Sequence, residues 1–61
     1  MNSLKSVLMR RDNLTSQEAE DAINDAAMMV IEGADPEMVL ESEFGLEPDY
    51  VFDLLDAAEK L

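Results

Sequence analysis

Carboxylates are the only reactive side chains this chain holds in quantity. Fifteen aspartates and glutamates lie between Asp12 and Glu59, a stretch without a single lysine, arginine or histidine. A desolvated carboxylate pair can do general acid-base work, and a row of carboxylates can ligate a hard cation. Helical spacing offers two rows, Glu37 and Glu41 beside Ser42, and Asp49, Asp53 and Asp56. Neither has the Gly-centred turn and alternating ligands of a calcium loop, so weak cation condensation is expected rather than a dedicated metal site. The acids are spread so evenly that none stands out as a proton donor or acceptor. Cysteine and histidine are absent, which removes the imidazole relay, the thiolate nucleophile and the usual zinc ligand sets. These residues predict no enzyme and no cofactor.

The formal charge of −11 says more about partners than any motif does. Lys5, Arg10 and Arg11 form a small basic patch in the first eleven residues, and Lys60 is penultimate. Phe44-Gly45-Leu46 between two short helices invites comparison with a helix-turn-helix. Its second helix would present Glu47, Asp49, Asp53 and Asp56 to a polyanion, so direct nucleic-acid binding is not expected. A basic protein partner suits this field better, because acidic rows on rigid helices steer association with a positive groove. The basic patch is expected to pair with the acidic remainder, within the chain or across a dimer; an isolated nucleic-acid contact through that end is the lesser alternative.

Positioning these groups falls to four short helices. Ser3 can cap a first helix carrying Leu4, Val7 and Leu8 on one side, with Arg10 and Arg11 at the favourable C-terminal end. Asp12-Asn13 is a turn signal, Thr15 and Glu18 have capping-box spacing, and Leu14 with Ala19 could add a hydrophobic staple. The second helix should run from Ser16 to Glu32 and stop at Gly33. Asp35-Pro36 opens a third helix through Phe44, with Ala34 and Val39 at staple spacing, and Gly45 ends it. Glu47-Pro48 opens the fourth with a weaker cap, Leu46 packing toward Val51. Its inner side should be Val51, Leu54, Leu55, Ala58 and Leu61, and its outer side Asp49, Asp53, Asp56 and Lys60. Tyr50 and Phe52 flank that stripe; core packing is the first expectation for both, a contact site the second.

The second helix breaks the pattern. Ala19, Ala22, Ile23 and Ala26 face a core, whereas the polar line Gln17-Asp21-Asn24 continues into Met28 and Ile31. A helix end that is apolar nearly all round needs cover nearly all round. Helix three or four folding over Met28 and Ile31 is the straightforward expectation; a second subunit or another protein is the alternative.

Sixty-one residues suffice for one domain with a marginal core, so dimerisation or binding to a larger partner would be a natural source of further stability. The longest apolar run, Ala26 to Ile31, is far short of the roughly 18 residues of a membrane span, and it lies mid-chain rather than where a secretory signal would be. No membrane association and a cytoplasmic location are expected. Strand-like alternation is missing, which favours an all-α single domain over residues 1–61.

Two blocks add a resemblance. Leu4-Lys5-Ser6-Val7-Leu8-Met9-Arg10-Arg11-Asp12-Asn13-Leu14-Thr15, followed by Glu18-Ala19, and Phe44-Gly45-Leu46-Glu47-Pro48-Asp49-Tyr50-Val51-Phe52-Asp53-Leu54-Leu55 look like those of a family of very small acidic helical proteins from bacteriophages, prophages and related bacterial elements. The resemblance implies a compact helical protein of phage or prophage association and carries over no biochemical activity. Relatives are more charged through the middle of helix two than Ala26 to Ile31 is here. A protein-interaction or structural module is therefore the leading expectation. A homodimer and an acidic nucleic-acid mimic that inhibits a basic nucleic-acid-processing protein are the alternatives.

Overall fold

The structure, a computed structural model, describes residues 3–61 and is all-α, with no strand among the described residues. Helix α1 spans Leu4–Arg11 and α2 spans Ser16–Ile31; α3, Pro36–Val39, runs directly into a π-helical turn, Leu40–Phe44. A 3₁₀ turn, Pro48–Tyr50, then leads into α4, Val51–Lys60.

Local capping chemistry sets the helix ends. Ser3 accepts from the Ser6 N–H at 3.1 Å and starts α1. Asn13 takes a left-handed φ of 55°, and the Leu14 N–H turns back to the Met9 carbonyl to close that helix. At the start of α2 the capping box is complete: the Thr15 hydroxyl accepts from the Glu18 N–H at 3.2 Å, and the Glu18 carboxylate accepts from the Thr15 N–H at 2.9 Å. Leu14 and Ala19 both join the core, as a staple should.

Helix α2 stops one residue earlier than expected, with Glu32 as C-cap. Gly33 follows at φ 112°, and its N–H and that of Ala34 return to Val30 and Met29 as a Schellman closure. Asp35 caps α3 by accepting from the Glu37 N–H at 2.9 Å, with Pro36 in the first turn. Ala34 remains exposed, so it does not staple Val39.

The third helix departs from the expected regular α-helix through Phe44. Its second half widens into the π turn before Gly45 ends it in a left-handed conformation, φ 65°. The Leu46 N–H reaches back to Leu40, six residues away, over the wider loop. Glu47 makes no side-chain cap bond at the start of the fourth helical segment, consistent with the weak propensity of Glu for that position.

Helix α2 is the central element, in contact with α1, α3 and α4. Its inner side presents Ile23 and three alanines, Ala19, Ala26 and Ala27, and the alanines are small enough to let neighbouring helices approach closely. Leu4 and Leu8 from α1, Val39 and Leu40 from the third helix and Leu54 from α4 fill the space against them. No charged or polar residue among those described is buried, so every described carboxylate sits on the surface.

The capping box gives one pH prediction. Glu18 is held below the usual carboxylate range, chiefly by the backbone N–H of Thr15 and then by its hydroxyl. A folded pKa below the unfolded one contributes stability above the unfolded value, and that contribution is lost as pH falls through the folded value. The difference in unfolding free energy between wild type and Glu18→Gln is therefore expected to be constant near neutrality and to shrink below about pH 4. Urea titrations across pH read it; a difference that grows on acidification would contradict the capping assignment. The comparison with Gln is needed because protonating any acid also relieves repulsion in a chain of charge −11.

Candidate functional site

The outer face of the last two turns of α2 remains uncovered. Met28 is 48% exposed, Ile31 54% and Met29 38%, whereas Ala26 and Ala27 beside them are buried. This overturns the expectation that helix three or four would fold over Met28 and Ile31. At 100° per residue Met28 points nearly opposite the Ala19–Ile23–Ala26 side. The short connection through Gly33 and Ala34 returns the chain to that inner side, where Val39 and Leu40 are buried.

The surroundings of this apolar end are one-signed. Asp21 and Asp25 precede it on α2, Glu32 caps it, and no basic residue occupies the last turn. The helix dipole places partial negative charge at the same end, where a cation is the favourable neighbour. By contrast, α1 ends with Arg10 and Arg11, and α4 with Lys60.

Helix α4 divides differently from the expected stripe. Leu54 is fully buried, with Val51, Ala57 and Ala58 packed partly around it, while Leu55 and Leu61 are 38% and 56% exposed. Tyr50 packs partly against the core as expected, but Phe52 is 78% exposed. Phe52 and Leu54 are separated by about 160° around the helix, so burying one turns the other outward. Phe52 and Leu55 thus form a second exposed apolar pair.

Asp49, Asp53 and Asp56 do not act as one solvent row. Asp53 reaches across the molecule and accepts the Leu4 N–H at 2.8 Å, satisfying a free donor at the start of α1. Asp56 pairs with Lys60 at 3.0 Å, one helical turn away. Asp49 is exposed in the 3₁₀ turn. Nothing local in the sequence signals the Asp53 contact, because its partner lies 49 positions away.

The basic patch is drawn into the acidic surface. Lys5 meets Glu20 at 2.8 Å, joining α1 to α2. The Arg11 guanidinium donates twice to the Asp12 carboxylate, at 3.0 and 3.1 Å. That bond holds Arg11 above its ordinary value and Asp12 below the usual carboxylate range, with their mutual attraction adding to both. Arg10 lies exposed beside them.

Two of the surface clefts adjoin these groups. One, of about 500 Å³, lies between the start of α1, the middle of α2 and one side of α4. Its polar groups are largely spent on each other, in the Lys5–Glu20 and Asp56–Lys60 pairs and the Asp53 bond to α1. The other, of about 220 Å³, lies between α2 and the π turn, with Met29, Glu43 and Phe44 among its walls. Among the described residues no three acids converge on a point that could hold a metal ion, and no helix is long and apolar enough to cross a membrane. Comparison with protein-family models, with curated proteins and with solved structures returned no match.

Proposed function

We propose that this protein is a non-catalytic protein-interaction module whose contact surface is centred on the C-terminal end of α2, at Met28 and Ile31. One observation carries the reading: in a chain with so little core to spare, two large apolar side chains stay about half exposed, 48% and 54%, on a face that is otherwise polar. Leaving them half exposed forgoes roughly 0.7–1.5 kcal/mol of burial for each side chain, about half the value of full burial, which a partner would recover. The likeness of residues 4–15 with Glu18-Ala19, and of residues 44–55, to small phage and prophage proteins supports a setting in such an element, acting on a protein of the host or of the element itself.

Capture from the native host at moderate salt tests the reading. Wild-type protein should retain one partner that the Met28→Gln/Ile31→Gln variant loses at least about tenfold, since central apolar anchors dominate such contacts. Both substitutions fall on exposed positions, so the variant should keep the helical signal and melting temperature of the wild type. Equal retention of the same partner by both proteins would remove this surface from the function.

A further inference from the structure

We infer that the occupant of the α2 face is a basic amphipathic helix of another protein, with apolar side chains at its centre and lysine or arginine at its rim, and not a second copy of this chain. The inference rests on the contact surface proposed above and adds the chemistry of the partner.

Area makes the rim decisive. The exposed parts of Met28 and Ile31 together offer on the order of 200 Å², below the largest apolar patches usual on soluble proteins. A stable interface takes about 800 Å² from each partner, so more than half of this one must come from the surrounding residues. Those surroundings include Asp21, Asp25 and Glu32, and the nearest basic residues in sequence are Arg11 and Lys60. Lys60 is paired with Asp56 and Arg11 with Asp12.

A second copy would meet this face with the same face, as a two-fold contact requires. Asp25 and Glu32 of each copy would then crowd the acids of the other, with no cation between Asp12 and Glu59 to separate them. Like charges so placed across an interface oppose association. A cationic rim reverses every one of those contacts. It also supplies the positive charge that the C-terminal end of α2 lacks from its own last turn. A helix fits better than a strand, because Met28 and Ile31 are spaced one turn apart on a rod, and two rods pack through residues of that spacing.

Three synthetic helical peptides of about 18 residues provide the test. One carries a leucine stripe with lysine elsewhere, the second the same stripe with glutamate for lysine, and the third the same lysines with serine for leucine. Methyl NMR of the methionines reports the site, with Met38, 67% exposed on α3, as the internal control. At about 150 mM salt, where diffuse attraction is screened, the lysine–leucine peptide should shift Met28 and not Met38. Met28→Gln/Ile31→Gln should weaken binding about tenfold, read by fluorescence anisotropy of a labelled peptide because that variant lacks the Met28 methyl. Asp25→Lys/Glu32→Lys should weaken it as well and create binding of the glutamate–leucine peptide. The lysine–serine peptide should leave Met28 unmoved.

Several results would overturn the inference: equal binding of the two leucine peptides to wild type, a response centred on Met38 or on Phe52, or binding indifferent to both variants. So would a wild-type dimer in sedimentation equilibrium that Met28→Gln/Ile31→Gln dissolves. If host capture depends on Met28 and Ile31 while the lysine–leucine peptide fails to bind, the partner chemistry is wrong and the contact surface stands. If host capture is indifferent to those two residues, the functional reading itself fails.

Discussion

Leu54→Ala is expected to cost about 2–5 kcal/mol and to lower the melting temperature by at least about 10 °C. Leu54 is fully buried where α4 meets α2, and the inner side of α2 is built mostly from alanines, which cannot expand to fill a void. A domain of this length holds only about 3–9 kcal/mol in total, so the variant should be substantially unfolded at physiological temperature. Circular dichroism during heating reads the outcome. The matched control is Leu55→Ala, one position on and 38% exposed, which should shift the transition much less. Equal shifts for the two would mean that α4 is rotated from the orientation described, and with it Phe52 and Asp53.

Asp53→Ala should lower stability by about 1–2 kcal/mol, the cost of leaving the Leu4 N–H without its acceptor. The sign is the informative part. In a chain of net charge −11, deleting an acid relieves repulsion and should by itself stabilise slightly. Asp49→Ala, also an acid of this region but exposed in the 3₁₀ turn, is the control and should be neutral or mildly stabilising. Asp53→Asn keeps an acceptor oxygen and should fall between them. Urea denaturation measures all three, and amide exchange at Leu4 should accelerate in Asp53→Ala alone. A stability gain in Asp53→Ala would return Asp53 to the solvent face.

These outcomes bear on how an acidic surface is read. Neutralising Asp49, Asp53 and Asp56 together would be a poor probe of a nucleic-acid-mimicking face, because it would also detach α4 from the start of α1. Asp49 and Asp56 test charge without that damage. The same reasoning separates the two exposed apolar pairs. Phe52 and Leu55 follow from the turning of α4 that buries Leu54, whereas Met28 and Ile31 sit on a helix whose inner face is already complete with alanine and isoleucine.

Much of the architecture is legible in short stretches of sequence. Ser3, Thr15 with Glu18, Asp35-Pro36, Gly33 and Gly45 mark helix ends because each acts on backbone groups within a few residues, where chain connectivity alone brings donor and acceptor together. The π turn escaped such reading, since the residues that favour an α-helix also populate the wider turn and nothing local distinguishes them.

The sequence by itself therefore determined an all-α chain, most of its helix limits and an overwhelmingly negative surface. Tertiary packing decided which way α4 turns, sending Leu54 inward and Phe52 outward, where the stripe alone also admitted Leu55 and Leu61. It committed Asp53 to a helix end 49 residues away and left Met28 and Ile31 uncovered. The division has one physical cause. Capping is settled by neighbours along the chain, whereas a buried face is settled by whichever distant element closes over it, and α2 has more apolar surface than its own three neighbours cover.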